Sequence, residues 1–170
     1  MKTIKSNDKF LLPGKLRFVG YLLLIPATAL GIIRFRYGVK PEFFEFHELA
    51  VYSVYLETKI FEIIQNNFVD ETVGLTLLFA LVFIAFSKEK TENEFIMTLR
   101  LKSFFIAVYS NIIFILFSFL FIYGVGFIKI LIINIYFFLI AYIFVFRYFY
   151  FIKYKNEVTE EPQTETREVN

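Results

Sequence analysis

Cysteine is absent from the 170-residue chain, which excludes disulfides, thiolate metal sites and a cysteine nucleophile. Histidine occurs once, as His47, between Glu45 and Glu48. A lone histidine there reads as an ordinary polar or interfacial residue, with proton sensing the sharper alternative. No glycine-rich phosphate loop, nucleophile–base arrangement or metal cluster stands out, so no enzyme and no cofactor is expected. The net charge of +2 is too small to suggest nucleic acid as a partner.

Apolar residues are what the chain has in excess. They make up 58% of it, and the mean hydropathy is +0.62. Phe (25) and Tyr (11) are abundant, while Trp is missing. Codons for Phe, Tyr, Ile, Lys and Asn are AT-rich, so the aromatics read as packing and lipid-facing residues rather than a cofactor box. The apolar residues lie in uncharged runs of membrane-spanning length. The expected class is all-α: four transmembrane helices plus one amphipathic outer helix.

The expected spans are residues 17–35, 71–88, 103–124 and 129–152, in a single bundle over 17–153. A basic N-terminus, 1–16, precedes them, and a disordered acidic tail, 154–170, follows. Pro26 should kink the first span, which membrane helices tolerate. Residues 1–29 also read as a signal peptide, with Ala27-Thr28-Ala29 as the cleavage box. Between the first two spans lies an outer loop, 36–70. Within it, residues 55–66 place Leu56, Ile60, Phe61, Ile63 and Ile64 on one helical side, which predicts an amphipathic helix. A further span through 43–64 is disfavoured by Glu45, Glu48, Glu57, Lys59 and Glu62. Asp70 reads as the N-cap of the second span. Tyr123-Gly124 reads as a helix stop and turn between spans three and four.

Lysine and arginine set the expected orientation. Lys9, Lys15, Arg17, Lys88, Lys90, Arg100, Lys102, Arg147, Lys153 and Lys155 lie on one face near the spans. Arg34, Arg36, Lys40, Lys59 and Lys129 lie on the other. The positive-inside rule then places both termini and the 88–102 connector in the cytosol of a bacterial cell, with the protein in its cytoplasmic membrane.

The connector holds most of the charge between two apolar spans. Thr91 and Glu94 fit a capping box, so a helix should start near Glu92 and run into span three. Lys88 with Glu92, and Lys90 with Glu94, stand at i,i+4 spacing. The bland reading is a solvated connector with positive anchors. The sharper one is a docking surface for a cytosolic protein, built from Lys88, Glu89, Lys90, Glu92, Glu94 and Arg100. A metal site from Glu89, Glu92 and Glu94 is disfavoured, since three carboxylates alternating with lysines make a poor cage.

Phe86-Ser87-Lys88-Glu89-Lys90, Glu92, Glu94-Phe95-Ile96, Leu99-Arg100, Ser103 and Ala107-Val108-Tyr109 with Asn111 together resemble a pattern in an uncharacterised family of small bacterial multi-pass membrane proteins. Asp70-Glu71, Tyr123-Gly124, Asn134 and Arg147 extend the likeness across residues 68–152. Asn93, in place of an acidic residue, and Phe105, in place of a larger aromatic, depart from it. The resemblance implies no activity, only a loose link to neighbouring helix-turn-helix regulators.

Polar side chains inside the spans are candidate interhelical contacts. If the last hairpin turns near Val125 and Gly126, residues i and roughly 252 minus i lie at equal depth. Asn134 should then bond Ser118, and Asn111 the Tyr142 hydroxyl or another helix. Arg147 should snorkel to lipid phosphates or pair with Glu92 or Glu94. Ala27 and Gly31 form a small-residue pair that would allow close helix approach. The leading functional reading is a non-catalytic membrane protein that senses for, or anchors, a cytosolic regulatory partner. The alternative is a small transporter or channel component, with Asn111, Asn134 and Arg147 lining a path.

Overall fold

A backbone segment in hydrocarbon has no water to bond, so an uninterrupted apolar run satisfies itself as a helix. A computed structural model describes residues 11–54, 58–89 and 94–160 of the chain. It contains four long helices: α1 (Lys15–Tyr37), α2 (Val69–Phe86), α3 (Glu94–Phe121) and α4 (Val125–Glu160). Each is long and apolar enough to cross a membrane. α1 continues through Pro26. α3 joins the expected connector helix and span three without a break. The Thr91 capping box itself lies outside the described residues.

The segment between α1 and α2 departs from expectation. Residues 45–54 and 58–67 pair as an antiparallel hairpin of β1 (Glu45–Val54) and β2 (Thr58–Asn67). Its register runs from Glu45 opposite Asn67 to Val54 opposite Thr58. Of the amphipathic helix expected over 55–66, the described residues 58–66 form a strand instead, and residues 55–57 lie outside the described residues. β2 carries Thr58, Ile60, Ile63 and Ile64, whose branched Cβ atoms crowd a helix and suit a pleated surface. A partner strand of equal length then takes up its backbone bonds. The base of the hairpin is closed by Phe68 N–H donating to Phe44 C=O at 2.8 Å, next to a short 3₁₀ turn at Glu42–Phe44.

The chain divides into two compact units, Val19–Ala80 and the remainder. In the first, Gly20, Ala27 and Gly31 are the buried residues of α1. A Cβ on Gly31 would come 3.3 Å from Val73 Cγ1, so this glycine sets the approach of α1 and α2 there. Arg34 grips Asp70 with two parallel bonds, Nε–Oδ1 at 2.5 Å and Nη2–Oδ2 at 2.8 Å. Asp70 is thus an ion-pair partner in the first turn of α2 rather than its N-cap. Asn67 supplies the capping oxygen, accepting from Val69 N–H at 3.3 Å, and its amide donates to Pro41 C=O at 3.0 Å.

In the second unit, α3 and α4 pair as a hairpin. Gly124, at φ +67°, turns the chain, a conformation that costs a glycine little. Helix resumes at once at Val125, so Lys129 lies inside α4 rather than in a loop. Two aromatic contacts mark the register, Phe119 with Phe127 at 4.9 Å and Phe104 against Tyr142 at 6.3 Å, while Phe114 reaches along the pair to stack on Phe137 at 4.5 Å. Residues at equal depth are accordingly i and roughly 246 minus i, not 252 minus i. At the other end of the pair, Ile96, Leu99 and Phe146 are buried together, with Phe95, Phe149 and Tyr150 against them. Residues 154–160, expected as disordered tail, continue α4.

Candidate functional site

The end of a helix leaves backbone carbonyls without intrahelical donors. α2 ends at Phe86, and its terminal oxygens are met by side chains and backbone from several elements. Ser87 Oγ donates to Phe83 C=O. Leu12 N–H donates to Phe86 C=O at 3.0 Å, and Lys88 N–H returns a bond to Leu12 C=O at 2.9 Å. Arg100, from the second turn of α3, donates to Ala85 C=O at 3.3 Å and to Ser87 C=O at 2.9 Å. Arg17, from the first turn of α1, donates to Ser87 C=O at 3.0 Å and Lys88 C=O at 2.8 Å. Gly14 lies alongside, where a Cβ would sit 3.1 Å from Lys88 C=O.

Glu89 closes this arrangement. Its Oε2 accepts from Arg17 Nη1 at 2.6 Å, and its Oε1 faces Arg147 Nη1 at 3.3 Å. The carboxylate is buried, with 5% of its side chain exposed, against 17% for Arg17 and 35% for Arg147. Arg100 is buried as well, and its guanidinium carbon sits 4.6 Å above the Phe146 ring. Two guanidinium groups, those of Arg17 and Arg147, therefore meet one carboxylate, and those of Arg17 and Arg100 meet carbonyls at the negative end of the α2 dipole, which offsets part of the excess positive charge. Arginine suits the position because its planar fork bonds two oxygens at once and stacks on a ring.

This geometry revises several expectations. Arg147 pairs with Glu89, not with Glu94; Glu92 and Lys90, and with them both i,i+4 pairs, lie outside the described residues. Glu89 and Arg100 are buried and bonded within the chain, so they are not surface groups for docking. Lys88 is half-buried, while Glu94 and Lys102 are exposed. The Arg17–Glu89 pair was not expected, since Arg17 read as one of the positive residues beside the spans that set the orientation. The available signal was Glu89 as the first carboxylate after span two, on the face where span one begins.

The polar groups inside the spans also pair differently. Asn134 Nδ2 donates to Asn111 Oδ1 at 2.9 Å. Ser118 is buried and donates to Phe114 C=O of its own helix at 2.7 Å. Tyr142 is buried, its ring stacked on Phe86 at 5.7 Å and on Phe146 at 6.2 Å. The hairpin turns about three residues earlier than assumed, which moves Asn134 two helical turns along α3, from Ser118 to Asn111. Among the described residues, no three His, Cys, Asp or Glu side chains come together. Comparison with family models, with curated proteins and with solved structures finds no match to this chain.

Proposed function

We propose that this chain is a non-catalytic, multi-pass protein of a bacterial cytoplasmic membrane, with both termini in the cytosol, that anchors a cytosolic protein partner on the connector between α2 and α3. The observation that carries this reading is the arginine lock at the end of α2. Arg17, Arg100 and Arg147 hold Ser87–Glu89 in a fixed place, next to the exposed Glu94 and Lys102 of α3. A docking surface gains from such preorganisation, because less freedom is lost on binding.

With Glu89 and Arg100 committed internally, the surface offered to the partner is Lys88, Glu94 and Lys102. Its mixed charge suits a partner with complementary mixed charge, for which rim pairs set specificity and on-rate. The test is affinity purification from native membranes, comparing the natural chain with a Lys88→Glu, Glu94→Lys, Lys102→Glu variant. A co-purifying cytosolic protein lost from the variant is the expected result. The same protein retained at equal yield on the variant overturns the docking surface.

A further inference from the structure

The Asn111–Asn134 bond uses one donor and one acceptor of two side-chain amides. Each amide has two N–H donors and an oxygen with two lone pairs. Among the described residues neither side chain makes another hydrogen bond, and both are half-buried rather than enclosed. Their depth makes this costly. Asn111 lies ten residues before the end of α3, about 15 Å along the helix at ~1.5 Å per residue, close to the midplane of a hydrocarbon core ~30 Å thick. Water is absent there, and lipid tails offer no partner.

We infer that the Asn111–Asn134 pair is the centre of a self-association face, on which the α3–α4 hairpin packs against the same hairpin of a second copy. The inference rests on membrane residence as proposed above. The remaining Asn111 N–H groups and the remaining lone pairs of Asn134 are a donor set and an acceptor set on adjacent helices. A two-fold axis beside them brings the donors of each copy to the acceptors of the other, as an isologous contact requires. The complementarity survives exchange of the amide oxygen and nitrogen, since either assignment leaves donors on one side chain and acceptors on the other. Ile112, beside Asn111, and Ile133 and Ile135, beside Asn134, are exposed and supply apolar surface around the polar centre. Interhelical hydrogen bonds of this kind are a recognised source of helix association in lipid.

The test uses the full chain in lipid vesicles at high lipid-to-protein ratio, with subunits counted by single-molecule photobleaching. The natural chain is expected as a dimer, Asn111→Leu and Asn134→Leu as weakened by about tenfold in association, and Asn111→Gln as a dimer. Because the chain has no cysteine, Ile112→Cys gives an independent readout with the asparagine pair intact. Oxidation should cross-link it between copies, and should leave a Phe144→Cys control monomeric. A monomeric natural chain, a dimer that persists unchanged in both leucine variants, or no cross-link through Ile112→Cys overturns the inference. Extraction of the chain by alkaline carbonate would instead overturn membrane residence, so the two failures are distinguishable.

Discussion

The Arg17 guanidinium and the Glu89 carboxylate, far apart in the chain, meet at 2.6 Å with the acid almost fully buried. Glu89 also faces Arg147, so it is the anion shared by the start of α1 and the C-terminal half of α4. Removing it leaves two guanidinium groups facing each other without their counter-ion. Glu89→Gln is expected to lower stability by about 3 kcal/mol, the low end for breaking a buried pair, because Arg147 keeps partial access to solvent. Reversible unfolding in mixed detergent micelles reads this directly. A loss under about 0.5 kcal/mol would place the contact with ordinary surface pairs.

Arg100 combines two carbonyl bonds with a ring contact, and lysine cannot reproduce that fork. Arg100→Lys is expected to cost about 1–2 kcal/mol, in the range of lost hydrogen bonds to a charged group. Phe146→Leu removes the ring beneath it. A double-mutant cycle between the two should show coupling of about 0.5–2 kcal/mol. Additive effects would mean the ring and the guanidinium are merely adjacent.

Steric closeness is expected to outweigh charge in the unit Val19–Ala80. Arg34 and Asp70 have good bidentate geometry, yet Asp70 keeps 42% of its side chain exposed, so Asp70→Asn should cost no more than about 1 kcal/mol. Gly31→Val, by contrast, crowds Val73 and should cost about 1–3 kcal/mol as overpacking. Val73→Ala introduced with it should recover part of that loss. A larger effect from Asp70→Asn than from Gly31→Val would reverse this ranking.

Orientation has its own check. Reporter fusions after Lys90 and after Lys155 should both report the cytosol, and an insertion between Val54 and Thr58 should report the periplasm. A periplasmic signal after Lys90 would invert the assignment and move the proposed docking surface outside the cell.

Composition and run length determined the four helices, because an apolar stretch that must satisfy its own backbone has little choice of conformation. Gly124 was legible as the turn for a similarly local reason: the position needs positive φ. The pairing of residues 45–54 with 58–67 was not legible. Leu56, Ile60, Phe61, Ile63 and Ile64 match a helical stripe, and only pairing with residues 45–54 selects the strand. The polar contacts needed the tertiary structure most. A shift of about three residues in where α3 meets α4 exchanges Ser118 for Asn111 as the partner of Asn134, and no local signal resolves that shift. Likewise, Glu89 reads in sequence as one of several solvated acids. Folding brings Arg17 and Arg147 to it and buries it, which turns a candidate docking group into the anchor of the connector.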